Sequence, residues 1–167
     1  ATRLANTAID RVAPSRGAVA AMLAAYGGTD LLCYRAERAA LAARQRALWD
    51  PVLAWAADAL GAELRLAEGV MPVALTPEAL ARLGARVGAM APFPLSAFHD
   101  LVTLSGSLLL ALAAAEGRLS PEEAWRLSRL DEDFQAEEWG EDEEAAAAAG
   151  ARRAAFLEAA RLWRLLR

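Results

Sequence analysis

One apolar run restricts the fold of this chain more than any other feature. Residues 101–115 contain no charged side chain, and they form the longest stretch of this kind among the 167 residues. These fifteen residues are too few to cross a membrane as a helix, which takes about 20. We therefore expect a soluble protein without membrane insertion, in which a helix at about residues 95–115 forms the centre of the core.

Helix signals recur along the rest of the chain. Residues 120–123 (SPEE) form a capping box, with a serine cap, a proline at the first helical position and a glutamate at the third. Residues 76–78 (TPE) open another helix with a proline at the first position. Residues 49–51 (WDP) match a helix start as well, so we expect a break or kink within the long helix that begins near residue 36 and reaches residue 60.

Other segments complete a mainly α architecture. Helices are expected at about residues 3–12 and 15–26, and from residue 121 to a corner at residues 139–140. The last helix carries one apolar stripe at the helical period, formed by Phe156, Ala159, Ala160, Trp163 and Leu166. Residues 31–34 are short and apolar and residues 63–68 alternate with a period of two, which predicts one small two-stranded β element. The sequence thus predicts a single domain over residues 1–167, a multi-helix bundle around the central helix at about 95–115.

Composition excludes several functions. All 18 basic residues are arginine, and the absence of lysine excludes a phosphate-binding loop with its Gly-Lys pair and any Schiff-base lysine. The single cysteine, Cys33, permits no internal disulfide and fits a reducing compartment. A net charge of −4 without a basic patch among aromatic residues argues against nucleic acid as the ligand.

Catalytic and metal sites are not expected either. His99 precedes Asp100, and Ser105 and Ser107 follow one to two turns later, but these serines lie in an apolar helix rather than on the sharp turn that exposes a nucleophile. Carboxylates two residues apart, such as Asp131 and Asp133, diverge on a helix. Cys33 has no histidine near it in the sequence and is expected in the core. We expect no catalytic residue, no metal ligand and no cofactor, and hence not an enzyme.

Residues 131–144 (DEDFQAEEWGEDEE) point instead to a protein partner. They contain nine carboxylates and no basic group, with Phe134, Gln135 and Trp139 set among them. A merely solvating acidic run contains few aromatic residues, so this composition favours a recognition surface. In the alternative interpretation, Trp139 packs the helix corner and the acids form a solvated face. Residues 116–144 together carry a net charge of −9, and the rest of the chain carries +5.

Several long motifs resemble a known family. The run LSGSLLLALAAAEGRLSPEEAWRLSRLDEDFQAEEWGEDEEA, the run LLCYRAERAALAARQRALWDPVLAWA and the opening RLANTAIDRV resemble the assembly chaperones of the ATP synthase catalytic head, the type that binds the alpha subunit. The likeness extends in the same order from residue 3 through the last helix. Family members begin with a smaller β-rich domain, and this chain starts where that domain is expected to end.

The resemblance implies an ATP-independent chaperone that binds the unassembled alpha subunit and prevents its aggregation while the catalytic head is assembled. A binder of such an apolar interface needs aromatic anchors and a polar rim. The partner-binding residues predicted on this basis are Asp131, Glu132, Phe134, Gln135, Glu138, Trp139, Gly140 and Glu141. A secondary partner-binding region is predicted at Arg44, Gln45, Trp49, Asp50 and Pro51.

The sequence also sets expectations for variants and location. Reversing Asp131 and Glu132 to arginine is expected to weaken partner binding while the fold stays intact. We expect a monomer, and the resemblance implies a location in the cytoplasm of a bacterium, or in the mitochondrial matrix of a eukaryote. The alternative function is a generic helical interaction or scaffold module without chaperone activity.

Overall fold

The computed structural model describes residues 15–68 and 76–166. The helix expected at residues 3–12 lies outside the described residues. The predicted fold class is confirmed, since the described part of the chain is mainly helical. Its helices are α1 (Arg16–Ala25), α2 (Ala39–Leu60), α3 (Pro77–Gly88), α4 (Pro92–Ser105), α5 (Leu108–Ala115), α6 (Pro121–Ser128), α7 (Leu130–Trp139) and α8 (Glu143–Leu166).

Helix α5 is the centre of the bundle. It packs against α2, α4, α6 and α8, and all but one of its eight residues are buried. Two tilted ring pairs, each with a centroid distance of 5.6 Å, attach the second half of α8 to its neighbours. They join Phe98 of α4 to Trp163, and Trp125 of α6 to Phe156. The apolar stripe predicted for the last helix therefore faces the core, where Phe156, Ala159 and Ala160 are buried.

The central helix is interrupted, which corrects the expectation of one helix over 95–115. Gly106 ends α4 in the left-handed region, with φ +71°, a conformation that favours glycine. Ser107 then begins α5, because its hydroxyl oxygen accepts a hydrogen bond from the backbone N–H of Leu110 at 3.0 Å. Residues 101–115 therefore belong to two core helices, of which the first ends at Ser105 and the second begins at Leu108.

Asp30 holds this junction in place. Its carboxylate is fully buried and accepts hydrogen bonds from the Ser107 hydroxyl at 2.8 Å and from the backbone N–H groups of Leu109 and Leu32 at 3.0 and 3.1 Å. The carboxylate thus caps the N-terminus of α5 and also the 3-10 turn at Leu31–Cys33. Burial is the main cause that raises the pKa of Asp30 from its usual 3.8 to about 6.

No break occurs at Pro51, because α2 runs without interruption from Ala39 to Leu60 with Pro51 inside it. Proline removes the hydrogen bond to the carbonyl of residue 47. Ala47 and Pro51 are both exposed, so water can satisfy that carbonyl. Trp49 and Val52, on either side, are buried and hold the helix against the core.

The helix expected over 121–139 is also divided. The capping box is confirmed at Ser120, whose hydroxyl accepts from the N–H of Glu123 while the Glu123 carboxylate accepts from the N–H of Ser120. Helix α6 nevertheless ends at Ser128, and α7 starts at Leu130. Ser128 donates its hydroxyl to the carbonyl of Trp125 at 2.7 Å, a back-bond that competes with continued helix.

The small β element exists, with shifted bounds. Strands β1 (Tyr34–Arg35) and β2 (Ala67–Glu68) pair in parallel, with Tyr34 opposite Ala67. Residues 31–33, predicted as strand, form a 3-10 turn instead, because Asp30 caps them. None of the described helices is long and apolar enough to cross a membrane.

Candidate functional site

The structure brings the two predicted partner-binding regions together, because α7 lies against α2. At the start of α7, the Asp131 carboxylate accepts a hydrogen bond from the side-chain amide of Gln45 at 2.8 Å. One turn later, Phe134 is buried beneath two guanidinium groups. Arg38 and Arg44 lie 5.4 and 5.1 Å from its ring centroid, within the range of cation–π attraction.

Two ion pairs complete this contact at the surface. Arg44 donates both Nη groups to the Glu137 carboxylate, each at 2.8 Å, in the bidentate geometry that arginine favours. Arg38 pairs with Glu138. Hydrogen bonding to Arg44 is the main cause that lowers the pKa of Glu137. Residues 131, 134, 137 and 138 follow the helical period, so one face of α7 is engaged by α2.

The secondary region is largely internal structure. Gln45 and Trp49 are both buried. The Gln45 side-chain oxygen accepts from the N–H of Ala36 at 2.8 Å, and the Trp49 indole N–H donates to the carbonyl of Leu127 at 3.0 Å. Asp50 pairs with the buried Arg35 side chain. Of the five residues, Pro51 is exposed, and Arg44 and Asp50 are partly exposed.

The opposite face of α7 is turned to solvent. Glu132, Gln135, Trp139, Gly140 and Glu141 are all exposed. Trp139 is the most exposed large apolar side chain among the described residues, at 76%, so the interpretation in which it packs the helix corner is wrong. Gly140 ends the helix with φ +91°. The eight predicted residues thus divide into Asp131, Phe134 and Glu138, which contact α2 or its N-cap residue Arg38, and five that are exposed to solvent.

Asp131 and Glu132, at the start of α7, differ in burial and in their hydrogen-bond partners. Burial is the main cause that raises the pKa of Asp131, and the hydrogen bond from Gln45 lowers it in part. Reversal of Asp131 to arginine would therefore leave the buried Gln45 amide without its acceptor and would disturb the fold. Glu132 is exposed, and within the described part of the chain it pairs only with Arg129, just before α7, at 2.7 Å. Reversal at Glu132 alone is the cleaner change.

The residues considered for catalysis have other partners. The Ser105 hydroxyl donates to the carbonyl of Leu101 at 2.7 Å, and His99 Nδ1 lies 3.1 Å from the adjacent Asp100 carboxylate. Cys33 is buried in the core, and burial raises the pKa of its thiol to about 12. A thiol in this state is a poor nucleophile, so Cys33 is a structural residue.

The sequence did not reveal all members of the site. Arg38 and Glu138 are 100 positions apart, and no local pattern joins them. Ala145, Ala146 and Ala149 of α8 face α7 across a groove. The run EEAAAAAG predicts a helix, but its lack of large apolar residues also indicates that this half of α8 lies outside the core.

A helical domain that presents an acidic face with an exposed tryptophan has the surface of a protein-binding module. Of the nucleophilic groups considered above, the Ser105 hydroxyl is engaged by a backbone carbonyl and the Cys33 thiol is buried. This surface is the kind expected of a protein that holds another protein.

Comparisons with known proteins agree with this class of protein. The model of the ATP12 chaperone protein family matches residues 1–57. The crystal structure of Atp12 from Paracoccus denitrificans superposes with a TM-score of 0.96 at 54% identity, over 99% of this chain and 72% of that one. The Atu1473 protein of Agrobacterium tumefaciens superposes with a TM-score of 0.91 at 45% identity, over 98% of this chain and 62% of that one. The chain belongs to the ATP12 chaperone family, and its role is that of a chaperone. Membership of this family agrees with the expectation that it is not an enzyme.

Proposed function

We propose that this protein binds the unassembled alpha subunit of ATP synthase and prevents its aggregation while the catalytic head is assembled. The observation that carries the proposal is the exposed face of α7, where Trp139 stands among carboxylates at the surface of a family chaperone. An unassembled subunit exposes a large apolar interface. An aromatic anchor surrounded by polar groups is suited to cover such an interface.

The division of α7 assigns a role to each group of predicted residues. Glu132, Gln135, Trp139, Gly140 and Glu141 contact the client directly. Asp131, Phe134 and Glu138, together with Arg44 and Gln45, set the orientation of α7 through their contacts with α2. We infer that the protein acts as a monomer in the bacterial cytoplasm, which the bacterial origin of the similar structures supports.

The first prediction concerns activity without nucleotide. Isolated alpha subunit should stay in solution at a near-equimolar ratio of this protein, with the same yield in the presence and absence of ATP, because the chain has no lysine with which to build a phosphate-binding loop. Light scattering of the diluted alpha subunit measures this. Better protection of the beta subunit, or a requirement for ATP, would contradict the proposal. Binding without protection would favour the scaffold module.

The second prediction concerns Glu132. Glu132→Arg should weaken capture of the alpha subunit at least about tenfold, because a like-charge contact at an interface costs several kcal/mol. Asp58→Arg is the matched control, since it makes the same change of charge at an exposed position near the other end of α2. Circular dichroism checks the fold, and a pull-down titration measures capture. Equal capture by the two variants would place the client elsewhere.

A further inference from the structure

A long groove separates α7 from the first half of α8. The two helices follow one another through the corner at Gly140, and they line a hollow of about 350 Å³. This hollow adjoins a second one of about 460 Å³, which α6 also lines. The two share Arg129, Asp133 and Ala149, so they form one continuous depression.

Small side chains and one aromatic ring line the wall of this groove. Ala136 of α7 faces Ala145, Ala146 and Ala149 of α8, and the exposed Trp139 stands at the end of the hollow. The buried residues of α8 begin only at residue 156, so its first half contributes no buried side chain to the core. Alanine-lined helices allow a third helix to approach closely, since helix axes pack about 8–10 Å apart depending on the side chains between them.

The charge of the groove is uneven along its length. The lining of the first hollow contains four carboxylates and one arginine: Glu141 and Asp142 lie beside Gly140, and Glu132 and Asp133 lie near Arg129 at the start of α7. Arg129 is paired with Glu132. Within residues 15–68 and 76–166, the other three carboxylates form no salt bridge. The far hollow instead mixes arginines with glutamates and has no excess of either sign.

The charge of Asp133 is compensated only in part by its arginine neighbours. Burial is the main cause that raises the pKa of Asp133, and the neighbouring charges of Glu132 and Glu137 raise it further, while Arg129 and Arg44 offset part of the effect. A carboxylate whose pKa is raised in this way is stabilised in its charged form by a nearby guanidinium or ammonium group.

We propose that the groove binds an amphipathic helix of the client that presents small apolar residues to α8 and arginine or lysine to the carboxylates beside Gly140. The inference rests on the proposed function, because it names the kind of segment that the chaperone holds. A helix fits better than a strand, since both walls are helices whose backbone groups are already paired and have no free edge to extend. The net charge of the groove selects a basic partner over an acidic one.

The test fills the groove without changing its charge. Ala149→Trp places a large ring where the two hollows meet, and Ala145→Trp does so nearer Gly140. Ala147→Trp is the matched control, because Ala147 is exposed on the same helix and does not line either hollow. Each variant is titrated with isolated alpha subunit, with a synthetic 18-residue Ala/Leu/Arg amphipathic helix, and with the same peptide carrying glutamate for arginine.

Both groove variants should bind the alpha subunit and the basic peptide at least about tenfold more weakly, and the control should change less than about twofold. The NMR signal of the Trp139 indole in the unsubstituted protein should shift with the basic peptide and not with the acidic one. Unchanged alpha-subunit capture by both groove variants would overturn the groove while leaving the proposed function standing. Binding of the basic peptide without any binding of the alpha subunit would support the groove and refute the proposed function.

Discussion

Leu109→Ala is expected to lower the free energy of unfolding by about 2–5 kcal/mol. Leu109 is fully buried in α5, which is enclosed by four other helices. Truncation removes buried methyl groups and leaves a cavity that tightly packed neighbours fill only in part. The substitution spares the backbone N–H of Leu109, so the hydrogen bond to Asp30 remains.

Urea denaturation followed by circular dichroism measures this effect. Leu165→Ala is the matched control, because Leu165 is 72% exposed and the same truncation there should change stability by less than about 0.5 kcal/mol. Similar losses at the two positions would mean that α5 is not the centre of the core.

The local signals of this sequence predicted where helices begin. The serine cap at Ser120 is confirmed, and so is the cap at Thr76, whose hydroxyl accepts from the N–H of Ala79 at 3.2 Å. These signals work because the cap, the proline and the first-turn glutamate act within one turn. The mainly α class followed from the same local information.

The positions at which a helix is interrupted or continues were harder to predict, because tertiary contacts determine them. At residues 105–107 (SGS), a glycine stop and a serine cap were present in the sequence, but apolar residues on both sides suggested one helix. At residue 51, buried neighbours keep the helix intact across a proline. The gap between α6 and α7 at Arg129 has neither glycine nor proline to mark it.

The sequence predicted which residues form the candidate site, but it did not predict which of them face α2 and which face solvent. Residues 131–141 were identified as a surface from their charge and aromatic content, and Trp139 is indeed exposed. No local pattern indicates that Asp131, Phe134 and Glu138 face α2, because their partners lie 86 to 100 positions away. Separating the two faces of a helix in this way requires knowing what packs against it.

The second prediction with a large expected effect is that the free energy of unfolding depends on pH through Asp30. The folded protein raises the pKa of this carboxyl group to about 6 from 3.8. Between these values the folded state keeps a proton that the unfolded state has released, so the free energy of unfolding falls as the pH rises through this window. Below about pH 4 the Asp30 carboxyl is protonated in both states, so the free-energy cost of burying its charge is absent. Above about pH 6 the carboxyl is ionised in both states, so this cost is fully present. Between about pH 4 and about pH 7, Asp30 alone should lower stability by about 2 kcal/mol.

A difference between two proteins isolates this contribution. Glu123 and Glu137 have lowered pKa values, and their stabilisation is lost on acidification, which opposes the effect of Asp30 in the total profile. Asp30→Asn does not titrate, yet its oxygen can still accept from Leu32 and Ser107 as the carboxylate does. Unfolding both proteins in urea across this range should show the unsubstituted chain gaining stability relative to the variant as the pH falls. A difference that stays constant with pH would mean that Asp30 keeps its usual pKa, and that its three hydrogen bonds fully offset its burial.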